Sequence, residues 1–168
     1  MPIPTLHLLC GKIASGKSTL AQSLAVTHSA LLLSEDQWLA RLYPGQIQTV
    51  SDYVRLARQL REVVGPLVMD LLKARVPVVL DFPANTIADR QWLRGLADAS
   101  GVAHCVHSLE LDDDTCRARL HVRNARAEHE FAATDAEFDV ITRYFQTPEE
   151  REGLTIEVHR GQASNGHT

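Results

Sequence analysis

Apolar residues in this chain follow two patterns that alternate along its length. Short continuous apolar runs, bounded by glycine or polar residues, predict buried strands. Longer stretches with apolar positions every three or four residues predict amphipathic helices. The predicted strands cover Thr5–Cys10, Ala30–Leu33, Val76–Leu80, Val102–Leu111 and Leu154–Val158. The predicted helices cover Ser18–His28, Glu35–Tyr43, Ser51–Arg75, Thr86–Ser100, Asp112–Arg126 and Thr134–Phe145.

This alternation of strands and helices predicts an α/β fold. Strands joined through helices form βαβ units, and right-handed crossovers place helices on both faces of a parallel sheet. We expect one domain over residues 1–160 and a small polar tail over residues 161–168. Within the longest helix, Gly65-Pro66 should introduce a kink or divide the helix in two.

Composition narrows the class of protein. The 168 residues are 45% hydrophobic and 23% charged, which is ordinary for a soluble globular chain. The formal net charge of −4 argues against nucleic acid as a partner. No stretch approaches the roughly 20 apolar residues of a membrane span, so we expect no membrane partner. Cys10, Cys105 and Cys116 form no CxxC or metal-type spacing, and no signal segment is evident, so we expect a cytoplasmic protein.

The first predicted strand leads into a phosphate-binding motif. Residues 11–18, GKIASGKS, match the pattern GxxxxGK[ST] in full. Its glycines let backbone N–H groups turn inward, and the helix that follows directs its positive N-terminus at the bound anion. Lys17 should reach the β- and γ-phosphates, and the Ser18 hydroxyl should coordinate Mg²⁺. The residues expected to contact ATP are Gly11, Ala14, Ser15, Gly16, Lys17, Ser18 and Thr19.

Acidic residues follow two other predicted strands. Ligands of parallel sheets gather beyond the carboxyl ends of the strands. Asp81 ends a buried strand, as in a Walker B motif, and should hold Mg²⁺ together with Ser18. The alternative is that Asp81 caps a helix or turn. Asp36 is the first candidate for a general base that accepts the proton of an attacking hydroxyl, and Glu35 is the second. The alternative for this pair is an ordinary acidic helix start.

Four arginines lie on the predicted helix 112–126, at positions 117, 119, 123 and 126. Arg119 and Arg123 are four residues apart, so they share a helix face. Arginines clamp the charge that develops during phosphoryl transfer, so we expect at least one phosphate contact from this group. The alternative is a solvated face paired with neighbouring acidic residues.

These features together resemble a known group of proteins. Five segments resemble, in their order and spacing, those of small P-loop kinases of the AAA family. In chain order they are GKIASGKST, LLLSEDQWLARLYP, VPVVLDF, RARLHVRNA and TDAEFDVITRYFQTP. Relatives of this group include zeta toxins, chloramphenicol phosphotransferase and the kinase domain of polynucleotide kinase. The resemblance covers most of the chain, and the first motif is the most specific.

The resemblance implies a three-layer, adenylate-kinase-like α/β sandwich with a five-stranded parallel sheet in the order 2-3-1-4-5 and a short lid. From the chain pattern, residues 127–133 are predicted to be a loop or this short lid. The resemblance also implies ATP-dependent phosphorylation of a hydroxyl, with Asp36 as base and with Arg119 and Arg123 as lid arginines. Trp38 stands where polynucleotide kinases tend to carry arginine, which argues against polynucleotide recognition. The stretch from Asp81 to Asn85 is longer than the group's usual turn, which leaves open whether Asn85 contacts a substrate.

We therefore expect a kinase that uses Mg-ATP to phosphorylate a small molecule. Trp38 and Tyr43 either stack on the acceptor or pack in the core. A nucleotide-dependent ATPase or switch is the second hypothesis, although the chain has no NKxD or LSGGQ motif. A nucleic-acid 5′-hydroxyl kinase is the third. The sequence indicates neither the acceptor nor the oligomeric state.

Overall fold

A five-stranded, all-parallel sheet forms the centre of the protein in a computed structural model that describes residues 3–127 and 131–161. The spatial order is β2-β3-β1-β4-β5, as expected. The strands are β1 Thr5–Cys10, β2 Leu31–Ser34, β3 Val78–Pro83, β4 Ala103–Glu110 and β5 Ile156–Arg160. The helices are α1 Lys17–Thr27, α2 Glu35–Leu42, α3 Val50–Lys73, α4 Ile87–Ser100, α5 Asp113–Arg126 and α6 Asp135–Arg143, followed by a 3₁₀ turn at Glu150–Glu152.

The two faces of the sheet carry separate hydrophobic clusters. Along β1, Leu6 and Leu8 face the larger cluster, which includes residues of α2, α3 and α4. Leu9 faces the opposite side, where it packs with Ala21 and Leu24 of α1. Alternation along one buried strand therefore supplies both cores, as in other parallel sheets that are covered on both faces. A third cluster joins α5 and α6 to the loop between β1 and α1.

The long helix α3 is continuous through Gly65 and Pro66, so the prediction that it divides there is wrong. Pro66 cannot donate a backbone hydrogen bond to Glu62, but both residues are exposed, so solvent can satisfy the free carbonyl. Gly65 is buried against α4, where an added Cβ would lie 3.4 Å from Trp92. The glycine thus permits close packing of the two helices.

Strand β3 extends farther than the apolar run predicts. It continues through Asp81 to Pro83, whereas the prediction ended the strand at Leu80. Leu8 of β1 pairs with Leu80, and the next residue, Leu9, pairs with Pro83. Two residues of β3 are therefore inserted relative to β1. Such an irregularity redirects side chains at a strand end, and here it lies at the edge of the sheet where the phosphate-binding motif begins.

Two predicted segments lie partly outside the described residues, the lid in three positions and the tail in all but one. The predicted lid covers residues 127–133, and Gly161 is the only described residue of the predicted tail. Within the ranges 3–127 and 131–161, no helix has both the length and the apolar composition needed to cross a membrane.

Candidate active-site cleft

The phosphate-binding loop connects β1 to α1 at the carboxyl edge of the sheet. Gly16 has φ +99° and is the N-cap of α1, so the helix begins at Lys17. This left-handed conformation favours glycine because a Cβ would be strained there. Ala14 also has a positive φ of 60°. The N-terminus of α1 therefore meets the loop at the position where backbone N–H groups bind phosphate.

The start of the loop has no space for a side chain. A Cβ at Gly11 would collide with Ser15 Oγ. Within the described part of the chain, that buried hydroxyl has no hydrogen-bond partner. A buried hydroxyl without a partner costs free energy, and a phosphate oxygen is a natural acceptor for it. This observation supports the fit of the loop to an anion.

Lys17 is half-buried and bends back over the loop. Its Nζ donates to the carbonyl oxygens of Gly11, at 2.6 Å, and Lys12, at 2.9 Å. Burial lowers the pKa of Lys17 below its ordinary value, while the nearby carboxylates of Asp81 and Asp36 act in the opposite direction. The ammonium group is thus held at the loop with two acidic side chains near it.

Ser18 and Asp81 meet directly, although 63 residues separate them in sequence. The Ser18 hydroxyl donates to Asp81 Oδ2 at 2.8 Å. Asp81 pairs with Ser34 at the end of β2, so β1, β2 and β3 all converge here. A hydroxyl beside a carboxylate is an oxygen-only donor set that suits Mg²⁺, which binds through few protein oxygens and retains water. Both residues predicted to hold the metal are therefore brought together.

The two adjacent acids at the start of α2 have different environments. Asp36 lines the cleft. Glu35 is only 1% exposed, accepts hydrogen bonds from the Tyr53 hydroxyl and from Arg61 Nε, and does not line the cleft. Burial raises the pKa of Glu35 above its ordinary value, and Arg61 and Tyr53 oppose that shift. The geometry therefore favours Asp36 over Glu35 as the group that meets a ligand.

The arginines of α5 also divide into two groups. Arg119 and Arg123 line the cleft, and Arg119 Nη1 lies 3.9 Å from the position that a Cβ on Gly16 would occupy. Arg117 instead pairs with Asp135 at 3.3 Å and Asp139 at 2.7 Å on α6. The two arginines that share a helix face thus both line the cleft, and Arg119 lies near the phosphate-binding loop, whereas Arg117 joins two helices.

The cleft has a volume of about 1160 Å³. The aromatic residues that line it are not the two that the sequence suggested. Trp38 and Tyr43 pack against the main hydrophobic core and do not line the cleft. The structure therefore supports the alternative of core packing for both residues. The aromatic residues that do line the cleft are Tyr53, Phe131, Tyr144 and Phe145. Their helical spacing is equally compatible with core packing, so sequence alone gave no signal for them.

Asn85 supports the loop from the neighbouring strand connection. Its Oδ1 accepts the backbone N–H of Gly11 at 3.0 Å, and the preceding residue, Ala84, donates its own N–H to Leu9. Arg90 is fully buried, donates to the carbonyl of Ala84 at 2.9 Å and pairs with Glu152. The sequence left the role of Asn85 open. It gave no signal for Arg90, because one partner of Arg90 is 62 residues away in the chain and the other is a backbone carbonyl.

The sheet order, the loop and the acidic strand end define a P-loop kinase-like nucleotide-binding fold. Residues 6–148 match the AAA domain family, and the chain belongs to that family. Comparison with curated proteins finds no significant match.

Solved structures confirm the fold at low sequence identity. A candidate kinase from Chloroflexus aurantiacus J-10-fl is 18% identical, with a TM-score of 0.75 over 95% of this chain and 86% of that one. The APS kinase CysC of Mycobacterium tuberculosis, solved with AMPPNP and APS, is 17% identical, with a TM-score of 0.63 over 98% and 92%. Chaetomium thermophilum Kti12, solved with ADP-AlF3, is 15% identical, with a TM-score of 0.68 over 95% and 91%.

Proposed function

We propose that this protein is an ATP-dependent kinase that transfers the γ-phosphoryl group of Mg-ATP to a hydroxyl group of a small molecule. One observation carries the proposal. The cleft that contains Lys17 and the Ser18–Asp81 pair also contains Asp36, which is not one of the buried structural carboxylates. A phosphate-binding loop alone indicates nucleotide binding, whereas a carboxylate that faces the same space supplies a base for an acceptor hydroxyl.

The nucleotide side of the cleft has the groups that phosphoryl transfer requires. In this proposal, the N–H groups of the loop and Lys17 bind the β- and γ-phosphates, and Ser18 and Asp81 hold Mg²⁺. When bound, the metal neutralises charge on the phosphate oxygens. Arg119 and Arg123 bind the equatorial oxygens of the transferred group. Most of the rate enhancement then comes from positioning and electrostatics rather than from covalent chemistry of the protein.

On the acceptor side, Asp36 accepts the proton of the attacking hydroxyl. The cleft volume of about 1160 Å³ exceeds the usual range of about 300–1,000 Å³ for a single ligand. It therefore leaves room for an acceptor beside the nucleotide. A kinase relative with both AMPPNP and APS bound is consistent with such a two-substrate cleft.

The proposal is tested by mass-spectrometric screening of a library of metabolites and antibiotics with Mg-ATP, together with a 5′-hydroxyl oligonucleotide. Wild type is compared with Lys17→Ala. A product heavier by one phosphoryl group, formed only by wild type, would support the kinase and identify its acceptor. A labelled oligonucleotide would instead move the acceptor to nucleic acid.

ATP hydrolysis without any phosphorylated product would contradict the kinase proposal. It would favour an ATPase or switch, and a stimulating protein partner would then be sought. Measuring ADP release in the same samples separates this outcome from an inactive preparation.

A further inference from the structure

Four potential metal ligands lie together on one face of β4 and β5, away from the candidate active site. Cys105 and His107 are two residues apart on β4, and Glu157 and His159 are two residues apart on β5. Residues at this spacing on a strand share a face, and His107 pairs with Glu157 in the register of the two strands. None of the four lines the cleft.

Three of these four residues have donor atoms within chelating distance of one another, and His159 lies close to two of the three. Ligand atoms of Cys105, His107 and Glu157 all lie within 4.8 Å of each other. His159 Nε2 is 3.0 Å from His107 Nδ1 and 3.5 Å from Glu157 Oε1. His107 Nδ1 is 3.9 Å from Glu157 Oε2. Metal–ligand bonds of about 2.0–2.3 Å in tetrahedral geometry place neighbouring donors roughly 3.3–3.8 Å apart, and the separations among His107, Glu157 and His159 are close to that range.

The histidine at the centre of this group also has the partner that a metal ligand needs on its other ring nitrogen. His107 Nε2 lies 3.0 Å from His7 Nδ1, and both side chains are buried. If His107 Nδ1 binds a metal, its Nε2 carries the proton and donates it to His7. Metal-binding histidines commonly donate this second N–H to an acceptor that fixes the ring orientation.

From this arrangement we infer that Cys105, His107, Glu157 and His159 form a binding site for a transition-metal dication of the Zn²⁺ type. One thiolate, two imidazoles and one carboxylate are borderline-soft donors, which favour Zn²⁺ over Mg²⁺ or Ca²⁺. When the sulfur–metal bond forms, the Cys105 thiol proton leaves to solvent. The two cysteines outside this group, Cys10 and Cys116, are buried elsewhere in the protein.

The site is accessible to solvent and has a structural consequence. Glu157 is 60% exposed and His159 is 30% exposed, so an ion can enter from the β5 side. The ion would connect the edge strand β5, which is the last strand of the sheet, to β4. Because only the folded chain brings the four donors together, metal binding should stabilise the folded state by mass action.

The experiment uses the full chain without a polyhistidine tag, stripped of metal with a chelator. Zn²⁺ is titrated while bound metal is measured by mass spectrometry, and Co²⁺ is titrated as a spectroscopic probe. We expect one ion per chain. We also expect visible ligand-field bands of tetrahedral Co²⁺, together with a thiolate-to-cobalt charge-transfer band in the near ultraviolet. Zn²⁺ should also raise the Tm of the wild-type protein.

Cys105→Ser should abolish the charge-transfer band, and Glu157→Gln and His159→Gln should each weaken Zn²⁺ binding about 100-fold or more. The matched controls are Cys116→Ser and His121→Gln, which remove a cysteine and an exposed histidine elsewhere and should leave binding and spectra unchanged. Because Glu157 and His159 are partly exposed, their variants should fold, as circular dichroism will check. Absence of a bound ion in wild type, or equal binding in all of these variants, would overturn the proposal.

Discussion

The side-chain oxygen of Asn85 accepts the backbone N–H of Gly11 across 3.0 Å. This hydrogen bond joins the β3–α4 connection to the first residue of the phosphate-binding loop, 74 positions earlier in the chain. The connection is itself held by the buried side chain of Arg90, which donates to the carbonyl of Ala84. The loop therefore depends on a support from a neighbouring element as well as on its own glycines.

Asn85→Ala should weaken both the fold and nucleotide binding. The substitution leaves the Gly11 N–H without its acceptor, which costs about 1–3 kcal/mol. We expect a lower Tm and an increase of about tenfold in the Kd for ATP, which corresponds to 1.4 kcal/mol. Gln146→Ala is the matched control, because Gln146 Oε1 accepts the N–H of Ile87 at 2.8 Å but does not contact the loop. Equal ATP affinity in the two variants would show that Asn85 does not support the loop.

The parts of the site that could be predicted from sequence are those whose chemistry is local. Gly16, Lys17 and Ser18 are adjacent, and their conformation follows from a strand-to-helix turn that the pattern specifies. The apolar alternation along β1 likewise predicts a strand covered on both faces. A buried strand that ends in Asp81 predicts a carboxylate near this loop, because parallel strands share a carboxyl edge.

Features that depend on register or on distant partners could not be predicted. The insertion at Asp81 and Phe82 arises from the pairing of β3 with β1, which no local pattern specifies. Trp38 is aromatic and close to Asp36 in sequence, but the face of α2 that packs on the sheet directs it into the core. The residues proposed as metal ligands on β4 and β5 have no motif spacing, because 50 residues separate His107 from Glu157 and only strand pairing brings them together.

Asp36→Asn should separate chemistry from binding. The asparagine amide cannot take up the proton of the attacking hydroxyl, so we expect kcat to fall about 10²- to 10⁴-fold. The Kd for ATP should change little. Glu35→Gln should behave differently. It disturbs a buried ion pair with Arg61, so it should destabilise the protein by about 3 kcal/mol while turnover below the melting temperature stays close to wild type.

Steady-state kinetics on the acceptor found in the screen, with ATP affinity and Tm measured in parallel, check this pair of variants. Wild-type turnover in Asp36→Asn, with Glu35 intact, would remove Asp36 from the role of base. A loss of turnover in Glu35→Gln without any loss of stability would assign that role to Glu35.

The arginines of α5 should differ in their effect on catalysis. Arg119→Gln and Arg123→Gln each remove a cation from the cleft, so each should lower kcat about 10²- to 10³-fold. Arg117→Gln is the control on the same helix. It removes ion pairs to Asp135 and Asp139 that are exposed to solvent, so it should cost at most about 1 kcal/mol of stability and leave kcat near wild type. Three variants with equal kcat values would contradict a phosphate role for Arg119 and Arg123.

The ion pair between buried Arg90 and half-buried Glu152 should make the protein sensitive to acid. Arg90 Nε and Nη2 donate to the two carboxylate oxygens at 2.9 and 3.1 Å. Burial by itself would raise the pKa of Glu152, but the hydrogen bonds from Arg90 and from the N–H of Glu149 lower it below the ordinary value of 4.5. Between the two pKa values the unfolded chain binds more protons than the folded one, so the free energy of unfolding falls as the pH falls below about 4.5.

Glu152→Gln removes both the ion pair and this titration. At neutral pH the variant should be less stable by about 3 to 5 kcal/mol, because it leaves the buried Arg90 charge uncompensated. Its stability should also fall less steeply than that of wild type below pH 4.5, since the substituted side chain no longer takes up a proton on unfolding. Urea denaturation between pH 3 and pH 7 measures both effects. Parallel stability curves for the two proteins would mean that the titration of Glu152 does not contribute to acid unfolding.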